Sequence, residues 1–372
     1  MLCMILVSCT GQKTGKENDN NDKIAIEVGE IKFPPQDVLQ LKSYYLSSSV
    51  HVDSIDYLIG YNYRLHSLDC MNLKSKSVTQ IVLPGDGPDA IVRLSGIYAQ
   101  SLDSVWISDE SERAFLIDSV GTIKRMIDLK KYLEDQEQLL INTNYAMFTS
   151  HLFYNASRHS LMFLVKHTPS NTFIVKEAFI DEVGKMATYQ LSSSKVVPDM
   201  SKGYAYINFP NVNFVGENIV YNYPVESSIY MLDIRTNERK YILADSHYTS
   251  NIIEKCTTSG DYATLEKHWL ENSHFYDIMY LPKYKIYARL HADKVDFDEK
   301  KGMEKLINER DLYLMLFDEI MEKIGETKLS NCRYSPFTSW NATYGGIALF
   351  VDNVLDEKNN TDDLTIDIIS LK

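Results

Sequence analysis

Apolar and polar positions along this chain form short runs of β-formers separated by Asn, Asp, Gly or Ser, and helical 3.6-residue periodicity is rare. From Asp53 onward a longer period emerges. An apolar strand bounded by polar turns recurs at Asp56–Asn62, Ser104–Glu110, Ser160–His167, Asn218–Pro224, Lys285–His291 and Gly346–Asn353, with starts 48, 56, 58, 67 and 61 residues apart. Each is followed by a strand of related pattern, at Ser67–Leu73, Ala114–Ser119, Phe173–Ile180, Ser228–Ile234, Asp311–Asp318 and Leu364–Leu371. Six such units, each a small antiparallel sheet, predict an all-β chain folded as a six-bladed β-propeller.

The last unit stops after its third strand, whereas Lys23–Phe33 is a β-run left over ahead of the first unit. This N-terminal strand is therefore expected to complete the last blade, with Ile24, Ile26, Val28 and Ile31 as its candidates for burial. The competing arrangement, two stacked sandwiches, would need a boundary near Ser192–Pro198. Asp261–Glu271 and Lys301–Arg310 read as short charged helices laid over the ring, with Leu265 and Trp269 spaced as a packing stripe.

Composition sharpens this picture. The chain has 372 residues, 44% of them hydrophobic and 24% charged, which is ample for a core and excludes a disordered or fibrous protein. No apolar run reaches the roughly 18 residues of a membrane span. The formal net charge of -13 would repel phosphate backbones, so nucleic acid is not an expected partner.

Five cysteines stand at 3, 9, 70, 256 and 332. Leu6-Val7-Ser8-Cys9 resembles a bacterial lipobox, in which the cysteine is acylated and becomes the new N-terminus. The polar stretch Thr10–Asp22 then reads as a flexible tether, although the eight residues ahead of Cys9 lack Lys or Arg and are short for a signal peptide. Residues 1–22 are accordingly expected to be signal remnant and tether, and residues 23–372 a single propeller domain. Cys70, Cys256 and Cys332 lack metal-ligand spacing and read as buried thiols.

In a propeller, interblade loops and loops between second and third strands share one face. The long loops of this chain belong to that set: Gly85–Ala90, Lys130–Ala146, Ser192–Pro210, Ala244–His274 and Ser330–Trp340, with the Asp293–Arg310 insertion. Tyr145, Tyr204, Tyr206, Asn208, Tyr334 and Trp340 fall just before inner strands, and Arg93 lies on the first clear one. Aromatic platforms with amide and guanidinium donors suit sugars, peptides or planar polar ligands, so these seven are the candidate binding residues; aromatics that wedge blades together would show the same pattern.

Nothing calls for a cofactor or a metal. Asp296, Asp298 and Glu299 lack EF-hand spacing, the nine histidines are scattered, and Gly85–Pro88 lacks the ending of a phosphate loop. There is no GxSxG elbow, HExxH, Walker loop or repeated sialidase-type Asp-box. Carboxylate pairs of glycosidases converge from distant strands and are not legible here. Asp53-Ser54-Ile55, Asp103-Ser104-Val105 and Asp118-Ser119-Val120 resemble bacterial O-glycosylation acceptors but are also ordinary turn chemistry.

Tyr61–Asp69, Gly85–Pro88 and Leu116–Gly121 resemble segments of the uncharacterised six-bladed propeller lipoproteins common in Bacteroidetes-type bacteria. That resemblance implies a propeller fold and an envelope location, lipid-anchored and at the outer membrane, but brings no reaction with it. The leading expectation is a lipid-anchored propeller that binds a glycan, peptide or envelope protein without turnover. The alternatives are a polysaccharide lyase or glycoside hydrolase acting at the channel mouth, and a pure scaffold.

Overall fold

The computed structural model describes residues 25–35, 39, 41–140, 148–182, 184–196, 204, 208–256, 261–336, 338–359 and 362–372. Its strands form six antiparallel sheets arranged as the blades of a β-propeller. From the axis outward, blade 1 comprises Ser47–Val52, Ile55–Asn62, Ser67–Asn72 and Val78–Val82, and blade 2 Leu94–Ser101, Ser104–Asp109, Arg113–Ile117 and Ile123–Asp128. In blade 3 two short strands, Phe153–Asn155 and Glu137–Leu139, share the inner edge of Ser160–His167, followed by Thr172–Phe179 and Met186–Gln190. Blade 4 comprises Asn211–Val215, Asn218–Asn222, Ile229–Asp233 and Arg239–Ile242; blade 5 is His274–Leu281, Ile286–Ala292, Leu312–Phe317 and Lys323–Lys328.

Blade 6 is assembled from both ends of the chain. Trp340–Ala342, Ile347–Phe350 and Leu364–Leu371 are joined by Ile26–Phe33, which pairs antiparallel with Leu364–Leu371 over eight residues. The N-terminal strand thus takes the outer position that the sequence pattern predicts for it. Its anchor differs from the expected one: Val28 is exposed and Ile26 and Ile31 are half-buried, whereas Phe33 is fully buried among Tyr44, Leu58, Phe350 and Ile366. Phe33 is the strand residue buried in the joint with blade 1, and Ile31 packs against the same cluster from its edge. Ile24 lies outside the described residues.

Six apolar clusters fill the joints between neighbouring blades, because second and third strands are apolar on both faces and each face must be covered. The seam between blades 6 and 1 carries polar stitches as well. Asn341 Nδ2 donates to Ser47 Oγ at 2.6 Å, Ser49 Oγ to the Ala342 carbonyl at 2.6 Å, and the Gly345 amide to Asp56 Oδ2 at 2.9 Å. Tyr44 lies flat on Gly60, where an added Cβ would sit 2.4 Å from its ring, and its hydroxyl donates to buried Asp69 at 2.7 Å. On the outer side, Arg333 grips Asp367 with two hydrogen bonds and reaches Glu30 on the N-terminal strand at 2.9 Å. That guanidinium holds the Glu30 carboxyl below its ordinary range.

Two helices sit in the long connections, α1 (Tyr262–Leu270) before blade 5 and α2 (Met303–Asn308) within it. Trp269 and Leu270 of α1 and Leu306 and Ile307 of α2 pack into the cluster of blades 3 and 4. Arg310, fully buried, donates to the carbonyls of Trp269, Asn272 and Asp293 and so ties the two insertions together. Cys70 and Cys256 are buried, as their sequence context predicts, whereas Cys332 is only half-buried.

Closure by the N-terminal strand predicts global dependence on it. Deleting residues 25–33 is expected to lower the unfolding free energy in urea by at least about 3 kcal/mol, the lower bound for emptying a fully buried Phe site. The transition should remain single. A separate early step confined to blade 6 would show that the ring does not depend on this strand.

Candidate functional site

The inner strands of all six blades converge on one cavity along the ring axis, with a volume of about 370 Å3. Its lining includes Gly216 and Pro282, which belong to turns between first and second strands, so its mouth lies on that face. Toward the other face the described residues close the channel. Ser95, Asn211, His274 and Ser339, at or beside the starts of inner strands, are all buried. The long-loop face expected to carry the ligand is therefore not where this cavity opens. Loop residues such as Tyr44, Tyr204, Trp269 and Tyr334 are buried in the joints between blades and do not line the axial cavity.

The floor is built on Asp277, a lone carboxylate in the otherwise apolar and aromatic inner strand of blade 5 and 1% exposed. Its Oδ1 accepts the Trp340 indole N–H at 3.0 Å, and its Oδ2 lies 2.9 Å from His151 Nε2. The carboxylate thus joins blades 5 and 6 to the segment entering blade 3. With Nε2–H directed at Asp277, the imidazole keeps Nδ1 for another partner. Burial of a charge at this depth is tolerable because both oxygens are hydrogen-bonded.

Above the floor the walls differ. On one side Tyr98, Phe153 and Phe214 form a continuous aromatic surface, with centroids 5.2 Å apart for the edge-on pair Tyr98 and Phe153, and 4.9 Å for the stacked pair Phe153 and Phe214. Burial pushes the Tyr98 phenol above its ordinary pKa. On the other side stand Ser48 and Ser49 of blade 1 and Asn341 of blade 6, while Asn213, beside Phe214 on blade 4, is held by its bond to the Ile278 carbonyl at 2.9 Å. Tyr280 lies at the rim and packs against Tyr287 at 5.0 Å. The cavity is thus amphipathic from side to side.

Just beyond the floor, Ser273 Oγ, His274 Nε2 and the Tyr276 hydroxyl are buried without a hydrogen-bond partner. Burial drives the His274 imidazole well below its usual pKa and pushes the Tyr276 phenol up to about 12, so both are neutral near pH 7. Tyr276 in turn meets the Trp340 ring edge-on at 4.7 Å.

Of the seven candidate residues read from the sequence, Trp340 lines the cavity. Tyr334 is buried between blades 5 and 6, its hydroxyl donating to Asp367 at 2.8 Å, and Tyr204 is buried in the cluster of blades 3 and 4. Asn208 is half-buried ahead of blade 4. Arg93 lies exposed on the opposite face beside Tyr45. Tyr145 and Tyr206, like Cys9, lie outside the described residues. His151, Asp277, Tyr98, Phe153 and Phe214 escape the sequence reading, though a single Asp inside His274–Leu281 is a detectable signal: a buried carboxylate needs a built environment. Among the described residues, no group of three or more His, Cys, Asp or Glu side chains could hold a metal ion.

Trp340→Phe keeps the ring and removes the donor to Asp277 Oδ1. The substitution is expected to cost roughly 1–3 kcal/mol in urea unfolding, because a buried carboxylate oxygen loses a hydrogen bond. Unchanged stability would mean that the indole N–H is not needed to hold Asp277.

No helix among the described residues is long and apolar enough to cross a membrane, and no curated protein matches the sequence. The chain is similar to many solved structures, among them two from Bacteroides. One is a DUF4221 family member from Bacteroides vulgatus, with 14% identity, 95% of this chain and 99% of that chain covered, and a TM-score of 0.75. The other is a Bacteroides fragilis protein named as a candidate exported protein, with 13% identity, 93% and 95% covered, and a TM-score of 0.54. At these identities the likeness establishes the fold. The family model for DUF4221, a domain of unknown function, matches residues 17–328, and the chain belongs to that family.

Proposed function

We propose that this chain is an extracytoplasmic, lipid-anchored binding propeller that captures a small polar–aromatic group in the axial cavity without turning it over. The group is one sugar of a glycan or one side chain of a peptide. The observation that carries this reading is the cavity's division into an aromatic wall of Tyr98, Phe153 and Phe214 and a hydrogen-bonding wall of Ser48, Ser49 and Asn341. A ligand with one apolar and one hydroxylated or amide face satisfies both walls at once.

Binding rather than hydrolysis is supported by the ionisable groups. A glycosidase needs two carboxyl groups about 5–10 Å apart flanking the scissile bond. Among the described lining residues Asp277 is the sole carboxylate, and its hydrogen bonds to Trp340 and His151 give it a structural task. The location rests on the lipobox-like Leu6-Val7-Ser8-Cys9, and the exported name of the Bacteroides fragilis neighbour is consistent with it.

Trp340 supplies the readout, since ligand entry should perturb its fluorescence. In a titration with oligosaccharides and short peptides, Tyr280→Ala at the rim is expected to weaken the responding ligand by about 1–3 kcal/mol with little change in melting. A ligand bound equally well by Tyr280→Ala and Tyr98→Ala would place binding outside this cavity. For the anchor, Cys9→Ala expressed with a complete signal peptide is expected to move the protein from the membrane to the soluble fraction and abolish metabolic labelling with palmitate. Continued membrane partition, with no lipid mass on the parent, would refute acylation at Cys9.

A further inference from the structure

We propose a second ligand site, for a neutral pyranose chain, on the face of the ring opposite the mouth of the axial cavity. Four loops build it: the segment entering blade 1 with Tyr45, the turn between the second and third strands of blade 1 with Tyr63 and His66, the connection to blade 2 with Val92 and Arg93, and the turn of blade 2 with Glu110. Tyr63, His66, Val92 and Arg93 line an open groove of about 670 Å3, and Tyr45 and Glu110 flank Arg93 at its edge.

Three features of the groove match a sugar. The Tyr63 ring is 52% exposed and Val92 beside it is 40% exposed, while Tyr63 stands 6.1 Å from the Tyr45 ring. An aromatic face left in water next to a concave surface is a ready platform for the C–H face of a pyranose. Arg93 is held in place, its guanidinium 5.5 Å over the Tyr45 ring and its Nε 3.4 Å from the Tyr45 hydroxyl, while among the described residues its terminal nitrogens have no acceptor. Glu110 Oε1 lies 3.6 Å from Arg93 Nε, too long for a tight pair, so donors and acceptors stand side by side as vicinal hydroxyls require. Finally, His66 lines the groove and is held in place by the bond between its Nδ1 and the Tyr61 hydroxyl at 3.0 Å, so its ring edge is a fixed part of the wall.

Charge selects among sugars. Arg93 is offset by Glu110, and the whole chain carries a net charge of -13, so a uronate or sulfated chain meets repulsion that a neutral one does not. The inference stands apart from the axial cavity, because no residue of the groove lines that cavity.

The test is calorimetric titration of the full chain with neutral hexaoses (β-1,4-glucan, β-1,4-xylan and α-1,6-mannan) and with a heparin-derived hexasaccharide as the anionic control. At least one neutral hexaose is expected to bind, with affinity lowered about tenfold or more by Tyr63→Ala and by Arg93→Gln and unaffected by Tyr280→Ala. Both groove residues are at least half exposed, so these variants should fold. Three results would each overturn the proposal: no neutral hexaose binds at millimolar concentration, the heparin fragment binds tighter, or binding survives Tyr63→Ala and Arg93→Gln. If Tyr280→Ala alone abolishes binding, the sugar sits in the axial cavity, and the groove is excluded while the central reading stands.

Discussion

A ring of sheets must close on itself, and everything else in this molecule depends on how that closure is made. No single blade buries both of its faces, so each is stable only between two neighbours, and one open joint would expose a whole apolar face. The chain solves this by drawing the last blade from both termini. Ile26–Phe33 covers the edge of Leu364–Leu371, and Phe33 reaches through to the joint with blade 1. Because the strand is linked to blade 1 by the segment carrying Tyr44, pairing it in blade 6 also fixes the neighbouring joint. Arg333, bonded to both Asp367 and Glu30, locks the same connection electrostatically. Much of its side chain is shielded from water, and its grip on Asp367 is bidentate, so this network is stronger than an exposed surface pair.

Closure in turn creates the cavity. Six inner strands held at fixed spacing leave a space on the axis, and its width is set by the ring rather than by any local segment. The side chains that enter it are therefore the one layer that six blades share. Asp277 exploits this geometry by bonding to residues from two other blades, so the floor of the cavity is itself a fastener across the channel. Such a group couples site and stability: the carboxylate is buried at a cost, and that cost is met only while Trp340 and His151 are both in place.

The architecture was legible in the sequence because its signals are local. Alternation, turn residues and a recurring spacing identify second and third strands, such as Ser160–His167 and Thr172–Phe179, without knowledge of any partner. Even the closing strand could be assigned, since an unpaired β-run and an incomplete last unit imply one another. The site was harder to read because its members come from six segments and are defined by which way an inner strand faces. Tyr334 and Trp340, six residues apart in one loop, look alike in sequence. Tyr334 turns outward to Asp367 between the blades and Trp340 inward to Asp277. The abundance of tyrosine blurs the distinction further, for Tyr204, Tyr221 and Tyr230 all serve as interblade packing. Only where a residue type contradicts its surroundings, as Asp277 does, can one sequence point to the channel.

The two faces of the ring differ in shape for a physical reason. Turns between first and second strands are short, as at Gly216 and Pro282, so they leave the axial space open on their side. The long connections carry aromatic residues, such as Tyr44, Trp269 and Tyr334, that fold back into the joints between blades. What they leave is relief at the periphery, where loops of different length meet above a joint between blades. The Tyr45, Tyr63 and Arg93 groove is one such place, and its rings are exposed because blades 1 and 2 already have their joint filled by Ile59, Ile97, Val105 and Phe115 beneath it. Aromatic side chains that are surplus to packing and still held rigid by their neighbours are the ones a ligand can use at little entropic cost.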